Sequence, residues 1–170
     1  MKTKGLALFF AAFIVIAAAC RSSVPTQPGV VVRNDVEGLM QMINLPARPQ
    51  SVLWVVSPRG DKNSRLVPGP SDSVLEAVIT FSPEDLQTIW ATAEAHVQAE
   101  GMIWDETDFE DWYPDSLKRS FVYDSGTGKY KFSGPVYDAA SIFGKSPYLT
   151  GGFIVFNAAD GELFLSLSTR

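Results

Sequence analysis

Apolar and polar positions recur along this chain with periods that change from stretch to stretch, and the changes mark its elements. Residues 5–19 are a continuous apolar run behind Lys2 and Lys4, and residues 21–33 then hold Pro25, Pro28 and Gly29 without any apolar period. Regular pattern begins at Asn34. Asn34 and Glu37 have capping-box spacing, and Val36, Leu39, Met40 and Ile43 follow at helical intervals. A short amphipathic helix is expected there, ending ahead of Pro46, whose ring excludes the preceding residue from helical geometry. Its Met-bearing face reads as core packing.

Ser51 to Ser57 is an apolar run between Pro49 and Pro58, the pattern of a strand covered on both faces. A polar connection over residues 58–73, long for a hairpin and a place where function can reside, leads to a second strand, Val74 to Phe81. There Leu75, Ala77, Ile79 and Phe81 share one face. Ser82, Pro83, Glu84 and Asp85 then form a strong helix start. Leu86, Ile89, Trp90, Ala93 and Val97 give that helix an apolar stripe, and Gly101 is the expected stop. Residues 102–115 interleave aromatic and acidic side chains without a period.

The last third reads as β-structure. Ser120 to Tyr123 and Lys129 to Phe132 flank the turn Asp124-Ser125-Gly126-Thr127-Gly128, and Asp138 to Gly144 fits one helical turn. Gly152 to Asn157 and Glu162 to Ser168 flank Ala158-Ala159-Asp160-Gly161, the clearest hairpin signal of the chain. This order of elements predicts an α+β fold: a mostly antiparallel sheet with one long and one or two short helices packed on one face.

The apolar run of residues 5–19 is fifteen residues long, short for crossing a hydrocarbon core of ~30 Å and suited to a signal peptide. It ends in Ile16-Ala17-Ala18-Ala19-Cys20, and Cys20 is the only cysteine. This segment resembles the lipobox of bacterial lipoproteins, with Ala17 where Leu is usual. The resemblance covers residues 1–20 and implies diacylation of Cys20, cleavage before it, and a membrane anchor. It also implies an outer-membrane destination facing the periplasm if the cell is Gram-negative, because Arg21 rather than Asp follows the cysteine. The expected organisation is a signal peptide over 1–19, a lipidated tether over 20–33 and one soluble domain over 34–170.

Charge narrows the functional classes. Removing residues 1–19 takes two of the 14 basic residues and none of the 19 acidic ones, so the mature balance is 12 − 19 = −7. That balance argues against nucleic-acid binding, which needs a basic surface. Between Arg65 and Lys118 there are twelve carboxylates and no Lys or Arg. Six of them fall between Asp105 and Asp115, beside Trp104, Phe109, Trp112 and Tyr113. Solvated surface is the ordinary use of such a block. The sharper expectation is an interaction surface of Trp104, Asp105, Asp108, Glu110, Asp111 and Trp112, meeting a basic protein, a glycan or weakly held Ca²⁺.

The remaining motifs carry little chemistry. His96 is the only histidine, which cannot supply a histidine metal triad and has no nucleophile-elbow serine to serve. Asp124-Ser125-Gly126-Thr127 resembles the catalytic loop of aspartic proteases, but that chemistry needs two such carboxylates and the chain has one copy. An EF-hand beginning at Asp105 fails because Glu110 stands at the glycine position and Ser116 at the bidentate Glu position. No catalytic residue, metal site or cofactor is therefore assigned. The expected function is a non-catalytic envelope lipoprotein that binds a protein or glycan partner near the membrane. The alternatives are an enzyme using carboxylates of residues 105–115, and an assembly accessory of a larger envelope complex.

Overall fold

The computed structural model describes residues 31–58, 73–145 and 149–169. The expected signal peptide, Cys20, most of the expected tether and nearly all of the polar 58–73 connection lie outside the described residues. The elements are α1 (Val36–Met42), β1 (Ser51–Pro58), β2 (Ser73–Thr80), α2 (Pro83–Ala93), β3 (Val97–Trp104), α3 (Asp115–Arg119), β4 (Val122–Asp124), β5 (Lys129–Asp138), α4 (Ala139–Phe143), β6 (Leu149–Asn157) and β7 (Glu162–Thr169). They build one antiparallel sheet in the order β1-β2-β7-β6-β5-β3, with the short β4 also paired to β5. Among the described residues no helix is long and apolar enough to cross a membrane.

Strand alternation sorts the apolar side chains onto two faces. One register row runs Trp54, Ala77, Leu165, Ile154 and Tyr137 across five strands. These residues join Leu75, Ile79, Leu163 and Leu167 in the larger core cluster. The intervening positions Val78, Phe164 and Val155 belong to a second cluster on the opposite face. Leu39 of α1, Leu86 and Ile89 of α2, and Phe143 of α4 cover the first face. The second is covered by Trp104, Tyr113, Leu117 of α3 and Phe121. The expected antiparallel sheet with short helices is present, but the helices do not share one face: α3 lies opposite α1, α2 and α4. Val78, Phe153, Val155 and Phe164 make the second face of β2, β6 and β7 apolar at its centre, so a second cover is required to keep that surface from water.

The expected long helix is replaced by a shorter one. α2 starts as its caps predict, with Ser82 Oγ accepting from Asp85 N at 3.1 Å, but ends at Ala93. A 3-10 turn at Glu94–His96 leads directly into β3, where Val97 is exposed instead of lying on a helical core stripe. Nothing local forbids helix over residues 94–100. Pairing with β5 decides the matter, with Val97 opposite Tyr137 and Ala99 opposite Val136. Gly101 sits at φ +88° beside a register shift in that ladder, where an added Cβ would press on the Phe132 carbonyl. It is a bulge residue, not a helix stop.

Entry into the fold also differs in detail. The N-cap of α1 is Asp35, not Asn34, and makes no side-chain cap hydrogen bond. Glu37 pairs with Arg48 at 3.1 Å instead of closing a capping box. Arg33, at the end of the expected tether, already exchanges backbone hydrogen bonds with Trp54 at 2.8 and 2.9 Å. Gly38 lets α1 lie close against the Trp54 ring.

Candidate functional site

The acidic–aromatic segment folds with its rings inward. Trp104, the last residue of β3, stacks on Phe121 at 4.5 Å between ring centroids and meets Phe109, Phe164 and Tyr113 at 5.1, 5.5 and 6.0 Å. Tyr113 is buried, and Trp112 is half-buried with its ring edge-on to Tyr113. The Trp112 Nε1 is buried with no hydrogen-bond partner. The carboxylates take separate tasks. Asp105 pairs with Lys129 of β5 at 3.3 Å, an exposed contact. The Asp108 carboxylate accepts from the Asp105 backbone N–H at 2.7 Å, closing the 3-10 turn at Glu106–Asp108. Asp111 is exposed. Lys129 is a cation that sequence proximity did not supply, and the β5–β3 pairing delivers it.

A pocket of about 400 Å³ lies behind this segment, lined by Glu76 of β2 with Trp104, Asp108, Glu110, Tyr113 and Phe153. Thus the structure brings Trp104, Asp108 and Glu110 together and adds Glu76, which lies 34 residues before Glu110. Burial pushes the Tyr113 phenol well above the usual tyrosine range, and the Glu76 carboxylate, which accepts its hydrogen bond, pushes it further. Asp105, Asp111 and Trp112 do not line this pocket. Among the described residues no group of three His, Cys, Asp or Glu side chains is placed to hold a metal ion.

A larger cleft, about 680 Å³, opens on the other side of the sheet. Its first wall carries Gln87 and Trp90 of α2 and Glu94 of the 3-10 turn that follows. Its second is the β6–β7 turn with Asp160, and Phe81 and Gln50 stand between. The turn is held in place: Phe81 N donates to the Gly161 carbonyl at 3.1 Å, and Gly161 adopts φ +72°, which glycine allows without strain. Trp90 is fixed on two sides. Its ring lies parallel to Phe156, with centroids 5.4 Å apart and an 11° interplanar angle, and its Nε1 donates to the Tyr137 hydroxyl at 2.8 Å. Trp90 is half-buried and lines the cleft.

Sequence reading placed Trp90 in the core stripe of its helix and missed this site. Period alone marks an apolar face; it does not show where the surface covering that face stops. The remaining motifs keep structural roles. Asp124 accepts from Gly126 N at 2.9 Å, and this bond with the Thr127 hydroxyl lowers its pKa, all within an exposed turn between β4 and β5. His96 is half-buried in the 3-10 turn after α2. Comparison of the chain with protein-family models, curated proteins and solved structures finds no match.

Proposed function

We propose that this chain is an exported lipoprotein of the bacterial cell envelope, held by acylated Cys20, whose domain binds a protein or glycan partner near the membrane. The observation that carries the binding reading is the Trp90 cleft. It is concave, of a size that ligand sites commonly have, and it combines an immobilised aromatic ring with a few polar groups. An immobilised ring loses little conformational freedom on binding, so more of its contact contributes to affinity. The anchoring part rests on the lipobox-like ending of the apolar run, Ala17-Ala18-Ala19-Cys20.

The test uses a chain beginning at Arg21, which lacks the anchor and keeps every described residue. Washed envelope fragments should retain it, and retention should fall when Trp90 is replaced by Ala. A chain that is not retained, or is retained equally by both variants, would sink the binding reading. The anchor is tested separately by acyl labelling of a Cys20→Ser precursor, which should carry no lipid.

A second reading, an enzyme using carboxylates, is favoured by one observation: Glu76 joins Asp108 and Glu110 around the Tyr113 pocket. Acid–base chemistry requires such a convergence in a cleft. Replacing Glu76 and Glu110 by Gln separates the two readings, because retention through the Trp90 cleft should survive that change.

A further inference from the structure

We propose that the ligand of the Trp90 cleft is the neutral pyranose part of a glycan; this deepens the binding reading above and rests on it. Three features of the cleft select this chemistry. The Trp90 ring is a flat apolar plane locked by the Phe156 stack and the Tyr137 hydrogen bond, so it cannot turn away from a ligand. A pyranose offers a flat face of C–H groups that fits such a plane, with hydroxyls around its rim.

The polar groups match that rim. Gln87 on one wall and Gln50 between the walls carry amides, each able to donate and accept. Sugar hydroxyls also do both, and pairs of donors and acceptors satisfy them fully. Glu94 and Asp160 stand on opposing walls as acceptors. The Asp160 carboxylate is oriented by Asn157, whose Nδ2 donates to it at 2.9 Å.

Charge removes one class of ligand. Among the described residues lining the cleft there is no Lys or Arg, so an anionic group would meet two carboxylates and no counter-charge. A cationic peptide is the competing occupant, because a lysine head could sit over Trp90 beside Glu94. The amides favour a sugar over the lysine head itself, which has donors only and would leave the Gln50 and Gln87 N–H groups to the peptide backbone.

Isothermal titration of the chain beginning at Arg21 tests this with three probes: a β-1,4-linked glucose tetrasaccharide, the corresponding N-acetylglucosamine tetrasaccharide, and tetralysine. At least one tetrasaccharide should bind with Kd on the order of 1 mM or tighter, with little dependence on salt. Trp90→Ala should weaken that binding about tenfold or more. Because Trp90 also packs on the core, Ala91→Arg provides a second variant; this exposed α2 position lines the cleft, and the long side chain should block it without touching the stack. Sugar binding unchanged in Ala91→Arg and in folded Trp90→Ala would overturn the proposal, as would binding of tetralysine alone. If the Trp90-dependent retention on envelope fragments persists while neither sugar binds, the glycan assignment fails and the binding reading stands. If retention itself is absent, both fail.

Discussion

Trp104 distinguishes a core ring from a ligand platform, and its replacement by Ala has a size that the structure supplies. The ring is buried and touches four other aromatic rings on the second face of the sheet. Truncating a buried Trp to Ala in a packed core costs ~3–5 kcal/mol, the lost burial and the residual cavity together. Loss of the stacked Phe121 contact alone accounts for ~0.5–1.5 kcal/mol of this. Domains of this size are stable by ~5–15 kcal/mol, so the variant should remain folded with a thin margin. Urea unfolding of the chain beginning at Arg21, followed by far-ultraviolet circular dichroism, should show a lower midpoint at unchanged slope. The melting temperature should fall by about 10 °C or more. Trp90→Ala should cost roughly half as much or less, because that ring is only half-buried. A Trp104→Ala loss below about 1 kcal/mol would refute the reasoning: the ring would then be dispensable to the second core and free to serve as a binding surface.

Two further outcomes test other parts of the argument. Burial raises the pKa of Tyr113 and, with a smaller contribution from nearby carboxylates, that of Tyr137. Stability from these groups is therefore fully present below the unfolded tyrosine value of about 10 and is lost as pH rises above it, where the unfolded chain ionises first. The urea midpoint should decline between about pH 9.5 and 11, less steeply in Tyr113→Phe; equal slopes in both would remove Tyr113 as the cause. Ser82→Ala removes the N-cap of α2 and should cost ~1 kcal/mol in thermal unfolding while leaving the Trp90 cleft in place; no measurable loss would mean that the cap bond does not hold the helix start.

Local signals were read from the sequence where the chemistry that decides them is local. Ser82 and Pro83 start α2 where they should, because a cap needs only the next three residues. The β6–β7 hairpin forms around Ala158–Gly161 for the same reason, and β7 places Leu163, Leu165 and Leu167 on one face and Phe164 on the other. Failures fall where the deciding partner is distant. Glu94 to Glu100 has helix-forming composition, yet residues from Val97 pair with β5, about 40 residues away. β5 itself runs through Pro135, where a strand would be expected to stop; Pro135 lies opposite Glu100, beside the bulged part of that ladder.

The candidate sites divide in the same way. By itself the sequence determined the apolar run ending at Cys20, the acidic surplus and most of the strands, because composition and period are properties of neighbouring residues. It also showed that residues 104–113 mix rings with carboxylates, but not that the rings turn inward, since that depends on the second face of β2, β6 and β7 needing a cover. Only tertiary structure brought Glu76 to Asp108 and Glu110, and only it made a cleft at Trp90. The partners that lock that ring, Tyr137 and Phe156, stand 47 and 66 residues away along the chain. Antiparallel pairing brings them to the same face, and no period within α2 encodes where a neighbouring turn will leave a helix uncovered.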